Sequence, residues 1–477
     1  MQPYLPLGTL YAATTLRDNG ISTSVFDVML EALEPGFRAA LRRSRAKIVV
    51  VYEDDFNFLS KMCLSRMREV AWNIARVARN EGAVIMVHGS DATDNPALFL
   101  DNGFDYVLCG EAENLLLGLC RSVLDNVAVP LWDGLVRKDN TGRIVRGAQK
   151  LARNPAWSRL TIPARELISL EPYRAAWKAV HGYFSTNMVA SRGCPFHCNW
   201  CAKPISSSHF QLRDASVVAE EMAMLKRAGA EHIWFGDDVF ALNHRWVERF
   251  AAEIAERNAA LPYKIQSRAD LMREDTVQHL KATGCTEVWT GVESGSQSIL
   301  DAMDKGITIE QIEVAHERLK RAGIRSCFFL QFGYPGETWH EIRQTIGLVK
   351  RLRPDDIGIS FSYPLPGTPF YERVQSQLGV KRNWIDSDDL CIMFNAAYTT
   401  DFYRAVREAL HAEVDSWTGS KPKNGQRDPK VLWQMVEDLE PRSRQKQEYR
   451  VSSEVSLASS AAIVPVESLI APNGPQP

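Results

Sequence analysis

The sequence has almost no net charge of either sign: 56 Lys and Arg stand against 58 Asp and Glu over 477 residues, a formal charge of −2. The basic excess that would invite nucleic acid or an anionic membrane surface is therefore missing. Long apolar runs are missing too, since stretches such as "IVVVY" at 48–52 fall far short of a bilayer span. The opening MQPYLPLGTLYAATTLRDNG has no basic n-region, no apolar h-region and no small-residue cleavage site, so it does not read as a secretory leader. No internal repeat is visible beyond an alternation of strands and helices. Nine cysteines is an odd number, and three of them crowd into the eight residues 194–201. That argues against a secreted disulfide framework and for metal chemistry in a reducing cytoplasm. What is present is ordinary: 45% hydrophobic and 24% charged residues, enough for a sizeable core, in a length that allows two to four domains.

Over residues 1–130 apolar periodicity predicts helices at about 8–17, 36–43, 64–78, near Pro96 and at 111–124. Strands are expected at 22–28, 47–52, 83–88 and 106–109. Such alternation predicts a parallel, doubly wound α/β sheet whose ligands sit at the carboxyl ends of its strands. The loops there are Tyr52–Asn57, His88–Thr93 and Cys109–Glu111. The order has one oddity: it opens on a helix where a doubly wound domain opens on a central strand, so a first strand is expected to be missing. Residues 131–182 read as a connector, with a hairpin around Asn140-Thr141-Gly142 and then Pro155, Pro163 and Pro172 interrupting regular structure.

From 183 to 370 the alternation resumes. Strands are expected at 185–191, 232–235, 263–267, 287–291, 325–332 and 356–361. The helices between them carry stop and start signals: Asp214 as an N-cap, and capping boxes at Thr308–Gln311 and Thr338–Glu341. Six βα units predict a partial (β/α)6 barrel of the TIM type, with its active site at the carboxyl ends of the strands. A small helical segment follows at 371–440, and 441–477 reads as a disordered, Ser/Ala/Pro-rich tail.

Cys194-Pro-Phe-His-Cys198-Asn-Trp-Cys201 directly follows the first barrel strand. Three closely spaced thiolates can hold three irons of a 4Fe–4S cube and leave the fourth iron open. The rival metal is zinc, but neither His197 nor His209 completes a standard zinc spacing. The bland alternative, three buried cysteines packed as small hydrophobes, suits Cys63, Cys109, Cys120, Cys285, Cys327 and Cys391 better.

CxxxCxxC in the loop after the first strand of a six-unit barrel resembles the radical S-adenosylmethionine (SAM) superfamily. The resemblance implies a 4Fe–4S cluster on Cys194, Cys198 and Cys201 whose open iron chelates SAM, and reductive cleavage of SAM to methionine and a 5′-deoxyadenosyl radical. Further segments match that family. Trp200 takes the aromatic position near the adenine, and Gly236, Asp237 and Asp238 stand where the family has a Gly-Gly-Glu-like SAM contact. Ser267 and Arg268 end the third barrel strand, with Arg268 implied as a partner of the SAM carboxylate. Glu293 and Ser294 end the fourth and resemble ribose or methionine contacts. Gly336 and Gly367 lie in the turns after the fifth and sixth.

A doubly wound domain ahead of such a barrel resembles the cobalamin-binding module of the cobalamin-dependent radical SAM branch. "LPLGTLYAATTLRDNGISTSVFDV", "VHGSDAT" and "CGEAENLL" match it in order and spacing. The contacts implied for cobalamin are Tyr52, Asn57, His88, Gly89, Thr93, Gly110 and Glu111. The Asp-x-His-x-x-Gly signature of other cobalamin proteins is absent, as is usual in this branch. The resemblance implies methylation of an unactivated carbon of a small molecule, with an external electron donor such as flavodoxin or ferredoxin. The alternatives are a radical cyclisation or rearrangement like that of the anaerobic magnesium-protoporphyrin monomethyl ester cyclase, or a non-catalytic metal-binding interaction module. Substrate-side lining is expected after Phe370, from Tyr371, Trp384, Phe394, Tyr398, Phe402 and Tyr403.

Overall fold

A computed structural model describes residues 3–30, 33–56, 64–159, 162–203, 205–206, 208–379, 391–419 and 428–444. Asn57, Cys63, Trp384 and most of the expected tail lie outside the described residues. The amino-terminal sheet contains β1 (Ile48–Tyr52), β2 (Val84–His88), β3 (Tyr106–Leu108), β4 (Leu135–Lys138) and β5 (Ile144–Arg146), in that spatial order. β1, β2 and β3 run parallel, with Tyr52 opposite His88. β4 joins β3 antiparallel. The hairpin expected in the connector is therefore the outer edge of this sheet: Val136 enters the sheet core and Leu135 the opposite face.

The strand expected at 22–28 does not form. Residues 21–27 form no regular element and belong to no ladder, and β1, paired with β2, stands at the sheet's edge. The segment is held by its side chains instead. Phe26 and Val28 pack on one face of the sheet, Ile21 on the other, and Val25 against the barrel.

The second sheet is all parallel, its six strands lying side by side in chain order. Its strands are β6 (Ser185–Met188), β9 (His232–Phe235), β10 (Tyr263–Ser267), β11 (Cys285–Glu293), β12 (Arg325–Phe332) and β13 (Asp356–Phe361). Apolar residues such as Ile233, Ile265, Val288, Phe328 and Ile357 face the surrounding helices and form one large core. Both capping boxes and the Asp214 N-cap are made.

The strand expected at 185–191 breaks after Met188. The Asp237 carboxylate accepts the amide hydrogens of Ala190 (3.1 Å) and Ser191 (2.6 Å), which draws that backbone out of the parallel ladder. Ser191–Arg192 (β7) then pairs antiparallel with Gln211–Leu212 (β8), and the cysteine loop lies between them. Beyond the barrel, helices Thr400–Thr418 and Pro429–Ser443 pack on each other, the first also against β13. The second extends into the region expected to be tail. Phe394, Tyr398, Phe402 and Tyr403 are buried in the barrel core and Tyr371 packs against it, so their packing role is secured. No helix among the described residues is long and apolar enough to cross a membrane.

Candidate functional site

The cysteine loop follows β7 at the carboxyl end of the barrel. Gly193 opens it with φ +81°, and a Cβ there would lie 1.9 Å from the His209 carbonyl oxygen, so only glycine fits this crossing. Cys194, Cys198 and Cys201 are in no disulfide and each is partly exposed, whereas Cys109, Cys120, Cys285 and Cys327 are buried. Lys203 donates to the carbonyls of Cys194 (2.8 Å) and Phe196 and curls the loop on itself. Burial pushes the Cys194 thiol up, against the pull of Lys203.

Asn199 ties this loop to three others. Its side chain donates to the Ala302 carbonyl (2.8 Å) and Asp304 (2.7 Å), and accepts from the Tyr334 hydroxyl (2.7 Å). Its backbone takes the Phe370 amide hydrogen at 3.0 Å. Among the described residues no set of three or more His, Cys, Asp and Glu side chains is gathered closely enough for a single metal ion. His209 turns to Glu111 (3.4 Å) and His197 to Ser208 (3.5 Å), so neither completes a zinc site. A cluster places inorganic sulfide between its irons and spreads its thiolates wider than one tetrahedral ion would. Three partly exposed thiols on one braced loop fit a cluster, and the buried Trp200 indole nitrogen beside them has no partner among the described residues.

Apart from Trp200 in the cysteine loop, the residues expected to hold SAM lie where strands end, but they divide by engagement. Asp237 is committed to the Ala190 and Ser191 backbone, and burial raises its pKa to about 7. Ser267 donates to the Phe240 carbonyl (2.8 Å), and Ser294 meets Thr345 (3.2 Å). Arg268 grips Asp270 and donates to the carbonyls of Lys305 and Gly306, with its guanidinium 3.7 Å from the centre of the Phe196 ring. It bolts the cysteine loop to the barrel. Asp238 is exposed near Cys194. Glu293 sits at a register shift of β11 with φ +61°, a conformation an L residue keeps only under constraint. The constraint is Lys305, 2.8 Å away and buried. Burial disfavours the Lys305 charge, but Glu293 and the Cys198 sulfur more than offset this and raise its pKa. Gly291 makes room for the pair, since a Cβ there would lie 2.7 Å from the Lys305 ammonium. Sequence reasoning missed Lys305, Asn199 and Lys203. Asn199 and Lys203 adjoin the motif itself, while nothing local marks Lys305.

The carboxyl edge of the amino-terminal sheet meets this loop directly. Arg192, two residues before Cys194, is buried and paired with Asp55 (3.4 Å) and Glu113. Its guanidinium lies over Trp157 (4.7 Å) and Phe56 (5.3 Å). Burial works to raise the Glu113 pKa, yet Arg192 and Asn154 outweigh it and hold the carboxyl low. Glu111 accepts from Gln211 and from the Asn154 amide. Gly236, at the end of β9, faces Phe56.

Of the residues expected to hold cobalamin, Gly110 and Glu111 join residues 152–154, and Thr93 donates to the Gly89 carbonyl. The space above Gly89 is filled by the Glu53 carboxyl. Tyr52 and His88 remain, their rings stacked 4.0 Å apart. His88 Nε2 lies 2.9 Å from the Gly110 carbonyl, which can only accept, so Nε2 carries the proton and Nδ1 is bare. Nδ1 and the Tyr52 hydroxyl are buried without partners. Such orphaned atoms fit a ligand with a hydrogen-bonding rim at this sheet edge.

Residues 188–349 match the family model described as the Radical SAM superfamily. An uncharacterized methyltransferase of Pyrococcus horikoshii is 26% identical over 386 residues, 80% of each chain. The radical SAM methyltransferase TsrM from Kitasatospora setae, solved with tryptophan substrate and a SAM analogue, is similar in fold. Its TM-score is 0.66 at 21% identity, over 80% of this chain and 74% of that one. OxsB, a cobalamin-dependent SAM radical enzyme solved with aqua-cobalamin and SAM, gives 0.68 at 17% identity, over 92% and 69%.

Proposed function

From a radical SAM domain at residues 188–349 as premise, we propose that this chain methylates an unactivated carbon of a small molecule, using a 4Fe–4S cluster, SAM and cobalamin. The observation that carries the proposal is the seam of Asp55, Glu111 and Glu113 against Arg192 and Gln211. It sets the ligand edge of a doubly wound sheet on the loop that bears the three thiols. The methyltransferase names of the Pyrococcus relative and of TsrM, and the aqua-cobalamin in OxsB, support the same reading. When bound, the cluster supplies the electron that splits SAM, and cobalamin carries the methyl group.

The chain's own residues do the positioning. Cys194, Cys198 and Cys201 hold the cluster while Asn199 and Lys203 fix their loop. Trp200, Gly236, Asp238 and Glu293 form the SAM side, with Asp237, Ser267, Arg268 and Ser294 holding the strand ends in place. Tyr52 and His88 face cobalamin, with Gly89, Thr93, Gly110 and Glu111 shaping the loops beneath. The reaction belongs in the cytoplasm, where flavodoxin or ferredoxin supplies the electron.

Anaerobic reconstitution should load about four irons and four sulfides per chain. Reduced protein given SAM should form 5′-deoxyadenosine. With SAM deuterated at its methyl group, a methylase yields a product heavier by the labelled methyl. A product without label, formed while 5′-deoxyadenosine accumulates, would establish cyclisation or rearrangement instead. One zinc per chain without sulfide would end the radical reading.

A further inference from the structure

Alternate residues of the barrel strands point away from the helices into the concave face. On β10 these are Lys264 and Gln266, on β11 Glu287 and Trp289, on β12 Phe329 and Gln331. Trp289 and Phe329 are only partly buried and lie outside the apolar core. They stack on each other, with centroids 4.7 Å apart and planes at 28°. Opposite Phe329 in the ladder is Gly358. A Cβ on Gly358 would lie 2.9 Å from the Phe329 ring and 3.3 Å from the Trp289 ring, so glycine lets the stack lie flat across the face.

Below the stack stands a cation that has no ion pair among the described residues. Lys264 is opposite Glu287 in the ladder. One Glu287 oxygen accepts from the Trp289 indole (2.6 Å) and the other is bound by Arg325. Lys264 lies over the face of Trp234, 5.9 Å from the ring centroid, with His232 nearby. Above the stack, Gln331 is 2% exposed; its amide nitrogen donates to Ser362 (3.1 Å), and its carbonyl oxygen has no partner. At about 3.3 Å rise per residue, the face from Lys264 to the end of β10 spans about 10 Å.

We propose that the concave face of the barrel is a substrate site for a planar conjugated carboxylate. Its ring system lies on Trp289 and Phe329, its carboxylate pairs with Lys264, and a donor at its other end meets Gln331 beneath the cysteine loop. Naming this ligand a substrate rests on the function proposed above; the binding itself does not.

The test uses the full chain, reconstituted with iron and sulfide, and calorimetry with three probes. They are 2-naphthoate (planar and anionic), naphthalene-2-methanol (planar and neutral) and cyclohexaneacetate (anionic and not planar). The wild type should bind 2-naphthoate at least about tenfold more tightly than either of the others, as one charge-assisted contact or one aromatic stack provides. Lys264→Met should abolish the preference for naphthoate over the neutral naphthalene while leaving the latter's affinity unchanged, and Lys264→Arg should keep that preference. Trp289→Leu should weaken both naphthalenes and spare cyclohexaneacetate. Equal binding of the three probes by wild type, or an undiminished preference in Lys264→Met, overturns the proposal. Label transfer from deuterated SAM is read separately. Methylation with no probe preference sinks only this site, and probe preference with no SAM cleavage sinks only the radical reading.

Discussion

Asn199 lies between two of the three cysteines and uses its side chain to hold the loop still. Replacing it by Ala removes the side-chain bonds to Ala302, Asp304 and Tyr334, although the Tyr334 hydroxyl keeps the Ala302 carbonyl at 2.9 Å. We expect Asn199→Ala to lose about 1–2 kcal/mol in denaturant unfolding, as the net loss of one or two hydrogen bonds costs, and to release iron to a chelator faster than wild type. Unchanged iron release would mean that the loop holds its shape without the brace. Glu337 illustrates titration. Its carboxyl is buried, takes the Gly333 amide hydrogen at 2.5 Å and faces the like charge of Glu341. Burial is the larger cause, and the pKa rises to about 8 from 4.5. A raised pKa means that the folded chain keeps a proton the unfolded chain releases. The stability this group contributes is therefore whole below pH 4.5 and is lost as pH rises through about 8. Glu337→Gln keeps the acceptor and removes the titration. Its stability relative to wild type should climb between these pH values and level off above them, read from urea midpoints at several pH values.

Among the elements, β7 joins the two halves of the site through Arg192. Arg192→Met would leave Asp55 and Glu113 buried and charged without their cation, which costs about 3–5 kcal/mol. Urea unfolding of the variant should show that loss; a change within about 0.5 kcal/mol, the range of ordinary surface substitutions, would mean that the seam opens to water. The seam also marks where sequence reading stops. Periodicity alone places His232–Phe235, Tyr263–Ser267, Arg325–Phe332 and Asp356–Phe361, because each strand buries one face against helices and turn residues bound it. The cysteine spacing is legible because its ligands are neighbours in the chain. The strand expected at 22–28 fails because alternation reports packing, and Ile21, Val25 and Phe26 pack half-buried against the cores without a ladder. Helix Pro429–Ser443 starts inside the segment expected to be helical, on a readable signal of Asp428 as N-cap with Pro429 behind it, and overruns only the first residues of the expected tail. Arg192 with Glu113, Lys305 with Glu293 and Asn199 with Tyr334 are pairings across the fold, and no local pattern encodes them.

At the scale of the whole molecule, the two sheets share one helix. Leu7–Asp18 is buried nearly all round, and its residues divide among three clusters. Leu10 enters the barrel core beside Phe184 and Met188, Ala12 and Leu16 enter a face of the amino-terminal sheet, and Leu7 and Tyr11 meet Trp157 and Val189 between them. The segment before the helix runs along β6, the barrel's open edge. There the Leu5 carbonyl accepts from Asn187 (2.8 Å) and the Pro3 carbonyl from the Trp177 indole (2.8 Å). A buried Arg165–Glu221–Arg213 triad ties the connector to the first barrel helix, with the Arg213 guanidinium 5.7 Å over Tyr11. With so much apolar surface shared, neither half keeps a complete core alone. The chain should unfold in a single calorimetric transition, although it is long enough for several independent domains. Leu10→Ala provides the discriminating measurement. A buried Leu→Ala change costs about 2–5 kcal/mol, and because that core is shared, the loss should appear in both halves. Native-state hydrogen exchange should quicken at the amides of β2 as well as at those of β6. Faster exchange confined to β6 would separate the domains energetically and leave the seam at Arg192 as their main coupling.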